Sequence, residues 1–290
     1  MRLYPTISSY VGAKALLAAE LARLFYYRNV KEYYSLFTGM ANDIIQAPLH
    51  GMKIHANDLD KGVYCLLKVL CDTEKCKVLY HSMFDLKYTE ETFLEAKRKI
   101  ADREQLMQIP DEIERARYMW TALLMSMNGQ MKQFKGIKSG LEQEGFTTML
   151  INKWNLSDFL SNVTVTNDNA IDIVKRLKET GRTDIFCYAD PPYYGENCSV
   201  KDHYKVDLNT YEGQKLLLDT IKDVPFKMMI SNYDNTLYNE VLVDKCKWKK
   251  HKLAEVCRTM RIGGAGQLRS RVSEMIWTNY NLEELTNTYK

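Results

Sequence analysis

The sequence predicts an α/β protein: a mostly parallel sheet with helices on both faces, plus a smaller, mainly helical insert. Three observations lead there. Short apolar strand candidates alternate with amphipathic helical stretches toward both ends of the chain. Between about residues 85 and 158 the texture changes to charged helical segments. The 290 residues, 46% hydrophobic and 27% charged, supply a sizeable core, and 14 glycines and 6 prolines are too few for a collagen-like, low-complexity or disordered chain.

Leu17, Leu21 and Leu24 share one helical face and predict a helix over Gly12 to Phe25. The aromatic run Tyr33 to Phe37 reads as the first strand and Lys53 to Asn57 as the second. Val63, Leu66, Leu67 and Leu70 follow the i, i+3, i+4, i+7 pattern of the helix that comes next. Residues 85–158, with segments such as Glu90 to Arg103, read as an inserted domain, leaving 1–84 and 159–290 as the main one. Strands at Val163 to Thr166, Ile185 to Ala189 and Phe226 to Ser231 then alternate with helices at Ile171 to Glu179 and Tyr211 to Lys222, and Glu274 to Tyr280 is the last strand. Parallel sheets bind ligands outside the carboxyl ends of their strands, so the turns after these strands are where chemistry is expected.

Seven cysteines, odd in number and without a CxxC pair, argue against a disulfide framework and a zinc ribbon and point to a reducing cytosol. The apolar stretch Ala15 to Phe25 is broken by Glu20 and Arg23, and Met1 to Tyr10 lacks a basic region followed by an apolar core, so neither a spanning helix nor a secretory signal is predicted. Net charge is only +3, but Asp244 to Arg271 holds nine Lys or Arg against two acids. That block reads either as a solvated face or as a contact for a polyanion.

The most informative segment is Asp190-Pro191-Pro192-Tyr193, directly after the strand Ile185 to Ala189. Two prolines cannot extend a ladder, because neither has an N–H and each fixes φ. The result is a rigid turn presenting a carboxylate, carbonyls and an aromatic face. That set suits an amine on a flat ring: carboxylate and carbonyl each accept one N–H while the tyrosine stacks. Two acceptors pulling the nitrogen toward tetrahedral geometry localise its lone pair and activate it. The carboxylate need not be a strong base, since the nitrogen becomes acidic only after it is alkylated. The competing reading is a strand-ending turn with a surface tyrosine.

Thr38 to Asp43 follows the first strand, and Gly39 permits a tight turn there, although no GxGxxG marks a pyrophosphate cradle. Asn57-Asp58 ends the second strand, where an acid serves equally as acceptor for two ribose hydroxyls or, like Asp60, as a helix N-cap. Asp168 ends the third strand, either accepting an adenine amino group or capping the next helix. Three acid-tipped strand ends suggest a nucleoside-shaped pocket.

In this order the motifs resemble those of the Dam-type, alpha-group N6 adenine-specific DNA methyltransferases. Tyr10-Val11-Gly12-Ala13-Lys14 resembles the opening aromatic-x-Gly-Gly-Lys motif, Phe37-Thr38-Gly39 the Phe-x-Gly loop, and Asn57 to Asp60 the ribose-binding turn. Asp168 falls at the adenine-contacting acid, Asp190 to Tyr193 is similar to the catalytic tetrapeptide, and Ile230-Ser231-Asn232 and Gly263-Gly264 with Arg271 to Glu274 resemble later elements. Ala13 stands for the second glycine of the opening motif, Ser35-Leu36 for Glu-Pro, and Met40-Ala41 interrupts Gly-x-Gly, where a β-carbon at 41 would crowd the cofactor's amino-acid end.

The resemblance implies a Rossmann-like methyltransferase fold with residues 85–158 as target-recognition domain, S-adenosylmethionine as cofactor and no metal. It implies cofactor contacts from Tyr10, Gly12, Lys14 (on the methionine carboxylate), Phe37, Gly39, Asp58, Asp168 and Asp190. The substrate would be duplex DNA from which one adenine is rotated into the turn at Asp190 to Tyr193, because the stack hides its amine. Asn128-Gly129 resembles the start of the family's DNA-reading loop, with Lys132, Lys135 and Lys138 following at intervals of three and Phe134 between them, and Arg258, Arg261, Arg269 and Arg271 of the basic block are candidate phosphate contacts. A cytoplasmic monomer, in a bacterial cell or phage-infected host, with or without a cognate restriction endonuclease, completes the expectation. Methylation of RNA or a protein amide, and a non-catalytic DNA-binding derivative of the fold, are the alternatives.

Overall fold

Seven strands, β1 (Glu32–Ser35), β2 (Lys53–Asn57), β3 (Val163–Thr166), β4 (Ile185–Ala189), β5 (Lys227–Tyr233), β6 (Lys249–Cys257) and β7 (Arg271–Thr278), form one sheet in the computed structural model. Their order is β3-β2-β1-β4-β5-β7-β6. The structure describes residues 4–10, 17–136, 142–193, 208–257 and 271–286. β1, β4 and β5 run parallel, and β7 and β6 are antiparallel to their neighbours. All five residues of β4, Ile-Phe-Cys-Tyr-Ala, are buried, as expected of a parallel strand covered on both faces.

The chain divides into two compact units. One contains Ala19–Phe37, Pro48–Ile54 and Asp168–Lys290. Its helices include α1 (Ala18–Leu24) from Ala19 onward, and α10 (Ala170–Glu179) and α11 (Tyr211–Ile221), of which the last two pack on each other. Ile171, Val174, Leu177, Leu217, Leu218 and Ile221 bury their apolar stripes in one cluster with Cys187, Met228, Ile230 and Trp277 of the sheet. On β4, Phe186 packs among Phe25, Tyr33 and Tyr280 in tilted and edge-on arrangements, with ring centroids 5.1–6.1 Å away.

The other unit comprises Met1–Ala18, Thr38–Ala47 and His55–Asn167. It holds α2 (Asn42–Gln46), α3 (Lys61–Leu70), α4 (Thr73–Phe84), α5 (Glu90–Ala101), α6 (Arg103–Gln108), α7 (Glu112–Leu124), α8 (Gln143–Ile151) and α9 (Leu156–Leu160). Aspartates start four of these helices: Asp60, Asp72 and Asp102 each accept two amide protons of the first turn, and Asp111 accepts one at the start of α7. The second half of α7 is buried all round, Tyr118 to Leu124, and it packs on α3, α4 and α5. Trp120 lies at its middle, edge-on to Tyr80, with its indole N–H donating to the Ile7 carbonyl at 3.1 Å.

The strands predicted at Lys53 to Asn57, Val163 to Thr166 and Ile185 to Ala189 have the observed limits. β1 starts one residue earlier than predicted and ends at Ser35, although the Leu36 amide still donates to the Tyr188 carbonyl at 3.0 Å. β7 begins three residues before the predicted Glu274, which therefore lies inside the strand. β6 was hidden in the basic block. It sits at the sheet's edge with one neighbour, so its lysines face water and guard the open ladder, and a strand of that composition carries no apolar alternation. Among the described residues no helix is long and apolar enough to cross a membrane.

Phe186→Ala is expected to lower the unfolding free energy by about 3–5 kcal/mol, read by urea denaturation, because the cavity left among three rings cannot collapse onto a strand fixed on both sides. A loss below about 1 kcal/mol would place this aromatic cluster outside the core.

Candidate active site

The paired prolines end β4, and the β4–β5 register, Ala189 opposite Ile230, brings Ser231 beside Asp190. The buried Ser231 hydroxyl donates to Asp190 Oδ1 at 3.0 Å and lies 3.1 Å from the Tyr188 hydroxyl. Asp190 itself is half-buried, so its carboxylate sits at the mouth of the strand end rather than within the core. The Pro192 carbonyl accepts from Gln214 Nε2 at 2.8 Å, and Gln214 Oε1 in turn accepts from the Tyr238 hydroxyl. Among the described residues nothing donates to the Pro191 carbonyl. The turn is therefore held through its second proline, and the acceptors predicted to grip an amine are Asp190 and the first.

Tyr193 packs edge-on to Tyr233, centroids 4.6 Å apart at 78°, and its hydroxyl donates to Glu274 on β7. Burial, with the carboxylates of Asp190 and Glu274, pushes the Tyr193 hydroxyl well above 10 and keeps it protonated.

In the other unit, the turns after β1 and β2 meet at Asp58. One carboxylate oxygen accepts from the Gly39 amide at 2.8 Å and the other from the Asp60 amide at 2.9 Å. The capping role open to both acids falls to Asp60, which accepts from the Gly62 and Val63 amides. Asn167 Nδ2 donates to the Asp58 and Leu59 carbonyls, tying the end of β3 to the same turn. The two carboxyls titrate oppositely. Burial, then the neighbouring Asp60, raises Asp58 to about 7 despite its two amide donors. Burial also works against ionised Asp60, but the Arg103 guanidinium, 2.8 Å away, more than offsets it and holds that carboxyl below the usual range.

Gly39 has φ +51, and a β-carbon there would lie 3.6 Å from Cδ1 of the Tyr10 ring. Ala41, where the sequence departs from Gly-x-Gly, takes φ +52, a left-handed conformation that costs a non-glycine residue about 1–2 kcal/mol. The chain keeps the glycine-type backbone path with an alanine.

Asp168 is half-exposed and paired with Arg176 at 2.6 Å, while Asn169 caps α10. Asn128 is exposed at φ +54 and opens a short loop closed by a bridge between Ser126 and Phe134. Its neighbour Gly129 has φ +65 and lies so close to the N-terminal segment that a β-carbon would sit 1.9 Å from the Ser9 carbonyl oxygen. Lys132 is exposed and Lys135 half-buried. Phe134 does not interleave with them at the surface but packs on Tyr88 and Phe93. In the basic block, Lys250 pairs with Asp234 and Lys252 with Glu255, and Arg271 is exposed at the start of β7. Gly12, Lys14, Lys138, Arg258, Arg261 and Arg269 lie outside the described residues. Phe37, half-buried, packs against the cluster that holds Leu36. Among the described residues no cluster of three His, Cys, Asp or Glu resembles a metal site.

Sequence reasoning did not single out Gln214, Asn167 or Glu274. Glu274 left a signal, an acid interrupting the apolar run that ends in Met275-Ile276-Trp277. The other two are ordinary polar residues whose partners are distant in sequence.

A sheet with parallel centre, acid-tipped strand ends and an Asp-Pro-Pro-Tyr turn defines the protein as a Rossmann-like methyltransferase in fold. The chain belongs to the D12 class N6 adenine-specific DNA methyltransferase family, whose pattern matches residues 10–260. Family match and motif resemblance agree, and the family's activity is adenine methylation of DNA. No curated protein matches the chain.

The Asp58 shift carries a sign. A carboxyl raised from 3.8 to about 7 on folding contributes stability that is complete below pH 4 and lost as pH rises through 7. The unfolding free energy of wild type relative to Asp58→Asn should fall by roughly 1.4 kcal/mol per pH unit within that window, measured by urea melts at stepped pH. Parallel curves for the two proteins would mean that Asp58 titrates normally.

Proposed function

We propose that the protein transfers a methyl group from S-adenosylmethionine to the exocyclic amine of an adenine rotated out of duplex DNA. The observation that carries this reading is the turn at Asp190 to Tyr193, an acceptor pair and an aromatic ring on the carboxyl end of a buried parallel strand, in a chain of the D12 family.

The residues fit the cofactor. Asp58 has four lone-pair sites, and the Gly39 and Asp60 amides take one on each oxygen, which leaves one on each for a diol such as the ribose hydroxyls. At 9% exposure it is screened from bulk water but reachable. The family resemblance assigns further cofactor contacts to Tyr10, Phe37 and Gly39, the cofactor's adenine amine to Asp168, and its amino-acid end to Gly12 and Lys14. When bound, S-adenosylmethionine supplies an electrophilic methyl group on a sulfonium.

The chain's own groups do the rest. Asp190 accepts one hydrogen of the target amine and the Pro191 carbonyl the other, so the lone pair is concentrated on nitrogen. Pro192, tied to Gln214, fixes the turn. Tyr193 stacks on the extruded base, an interaction of about 1–3 kcal/mol. Ser231 keeps Asp190 in position until the methylated nitrogen releases its proton to that carboxylate. Positioning supplies most of the rate. Asn128 opens the loop that reads the target, and Lys132, Lys135, Lys138 and the arginines at 258, 261, 269 and 271 neutralise phosphates.

Tritiated cofactor with mixed-sequence duplex tests the reading. Wild type is expected to label DNA, Asp190→Ala to lose about 10²–10³-fold in rate, and Tyr193→Ala to bind cofactor without turning over. Apparent DNA affinity should fall with salt at a slope of about −0.9 per phosphate neutralised. Equal labelling by Asp190→Ala would overturn the role assigned to that carboxylate, and label confined to RNA or protein would overturn the substrate.

A further inference from the structure

Glu274 is 3% exposed, and a carboxylate is withdrawn from water that far only where it is held. Its position follows from the sheet. In the β5–β7 ladder Tyr233 stands opposite Glu274, and both reach Tyr193: the Glu274 carboxylate accepts the phenol hydrogen, and the Tyr233 ring meets the Tyr193 ring edge-on. One contact fixes the far end of the Tyr193 side chain and the other fixes its tilt. Tyr193 follows two prolines that set the backbone before it, so the ring is defined from both ends. Burial, with the carboxylates of Asp190 and Glu274, raises the phenol well above its ordinary 10, so at neutral pH it keeps its proton and remains a donor.

We propose that Glu274 is a positioning residue for methyl transfer: through its hydrogen bond to the Tyr193 hydroxyl it sets the plane on which the target base stacks. The proposal rests on the stacking role given to Tyr193 above. A base presented on a tilted ring would leave its amine away from the Asp190 and Pro191 acceptors, so the cost of losing Glu274 falls on turnover rather than on cofactor binding.

The test is a double-mutant cycle on steady-state methyl transfer to duplex DNA, with Tyr193→Phe, Glu274→Ala, their combination, and Glu274→Gln, each protein's thermal midpoint being measured alongside. Tyr193→Phe and Glu274→Ala should each lower kcat by about 10- to 100-fold with the KM for cofactor unchanged. The combination should cost no more than either alone, because each removes the same bond. Glu274→Gln keeps an acceptor and should stay within about threefold of wild type. If Glu274→Ala does not fold, the contrast between Tyr193→Phe and Glu274→Gln decides: a loss in the first and retention in the second support the proposal. Losses that multiply, a raised cofactor KM, or Gln as damaging as Ala would overturn it. A wild type that transfers no label to duplex strikes the proposed function and this role with it, whereas wild-type transfer with multiplicative losses strikes the role of Glu274 alone.

Discussion

Two prolines in succession stop β4, and the chemistry of the molecule depends on where that stop falls. A strand buried on both faces has no freedom to slide, because a shift of one residue would turn every side chain of Ile185 to Ala189 to the opposite face. The carboxylate at 190 is thus placed by the core, and the ladder to β5 sets Ser231 within 3.0 Å of it. Gln214 from α11 closes the turn from the other side by taking the Pro192 carbonyl. A loop carrying the same four residues would not place a carboxylate and a carbonyl with the precision that the proposed grip on an amine requires.

The acids at the second strand end show how environment separates two chemically identical groups. Asp58 and Asp60 are two residues apart and both withdrawn from water, yet only Asp60 has a cation. Asp60 is consumed by capping α3 and pairing with Arg103, a structural role. Asp58 has amide donors alone, which offset its burial only in part, so its carboxyl is raised to about 7. The Gly39 amide and the Asn167 side chain both bind the turn at Asp58, all three within one compact unit.

The strand-helix alternation was legible because buried parallel strands and amphipathic helices write their periods directly into the chain, and the strands at 53–57, 163–166 and 185–189 have the limits that pattern implies. The tetrapeptide was legible for a related reason: consecutive prolines after an apolar run permit few structures. What stayed hidden depends on neighbours remote in sequence. β6 reads as a basic surface because an edge strand is held by one partner and needs no apolar face. That Asp60 is held ionised while Asp58 is raised turns on Arg103, 43 residues beyond Asp60. Phe134 looked like an aromatic between DNA-contacting lysines, and only the fold shows that Tyr88 and Phe93 claim it. Glu274 was visible as an acid in an apolar strand, but its partner, Tyr193, lies 81 residues earlier.

The grip on an exocyclic amine would serve cytosine as well as adenine in geometry alone, so the base that carries the new methyl group is the sharpest discriminator. DNA from cells expressing the protein, digested to nucleosides and resolved by mass spectrometry against DNA from cells without it, is expected to contain N6-methyladenine and no other new methylated nucleoside. Methyl groups on cytosine, or digests identical with and without the protein although it is folded and abundant, would contradict the account.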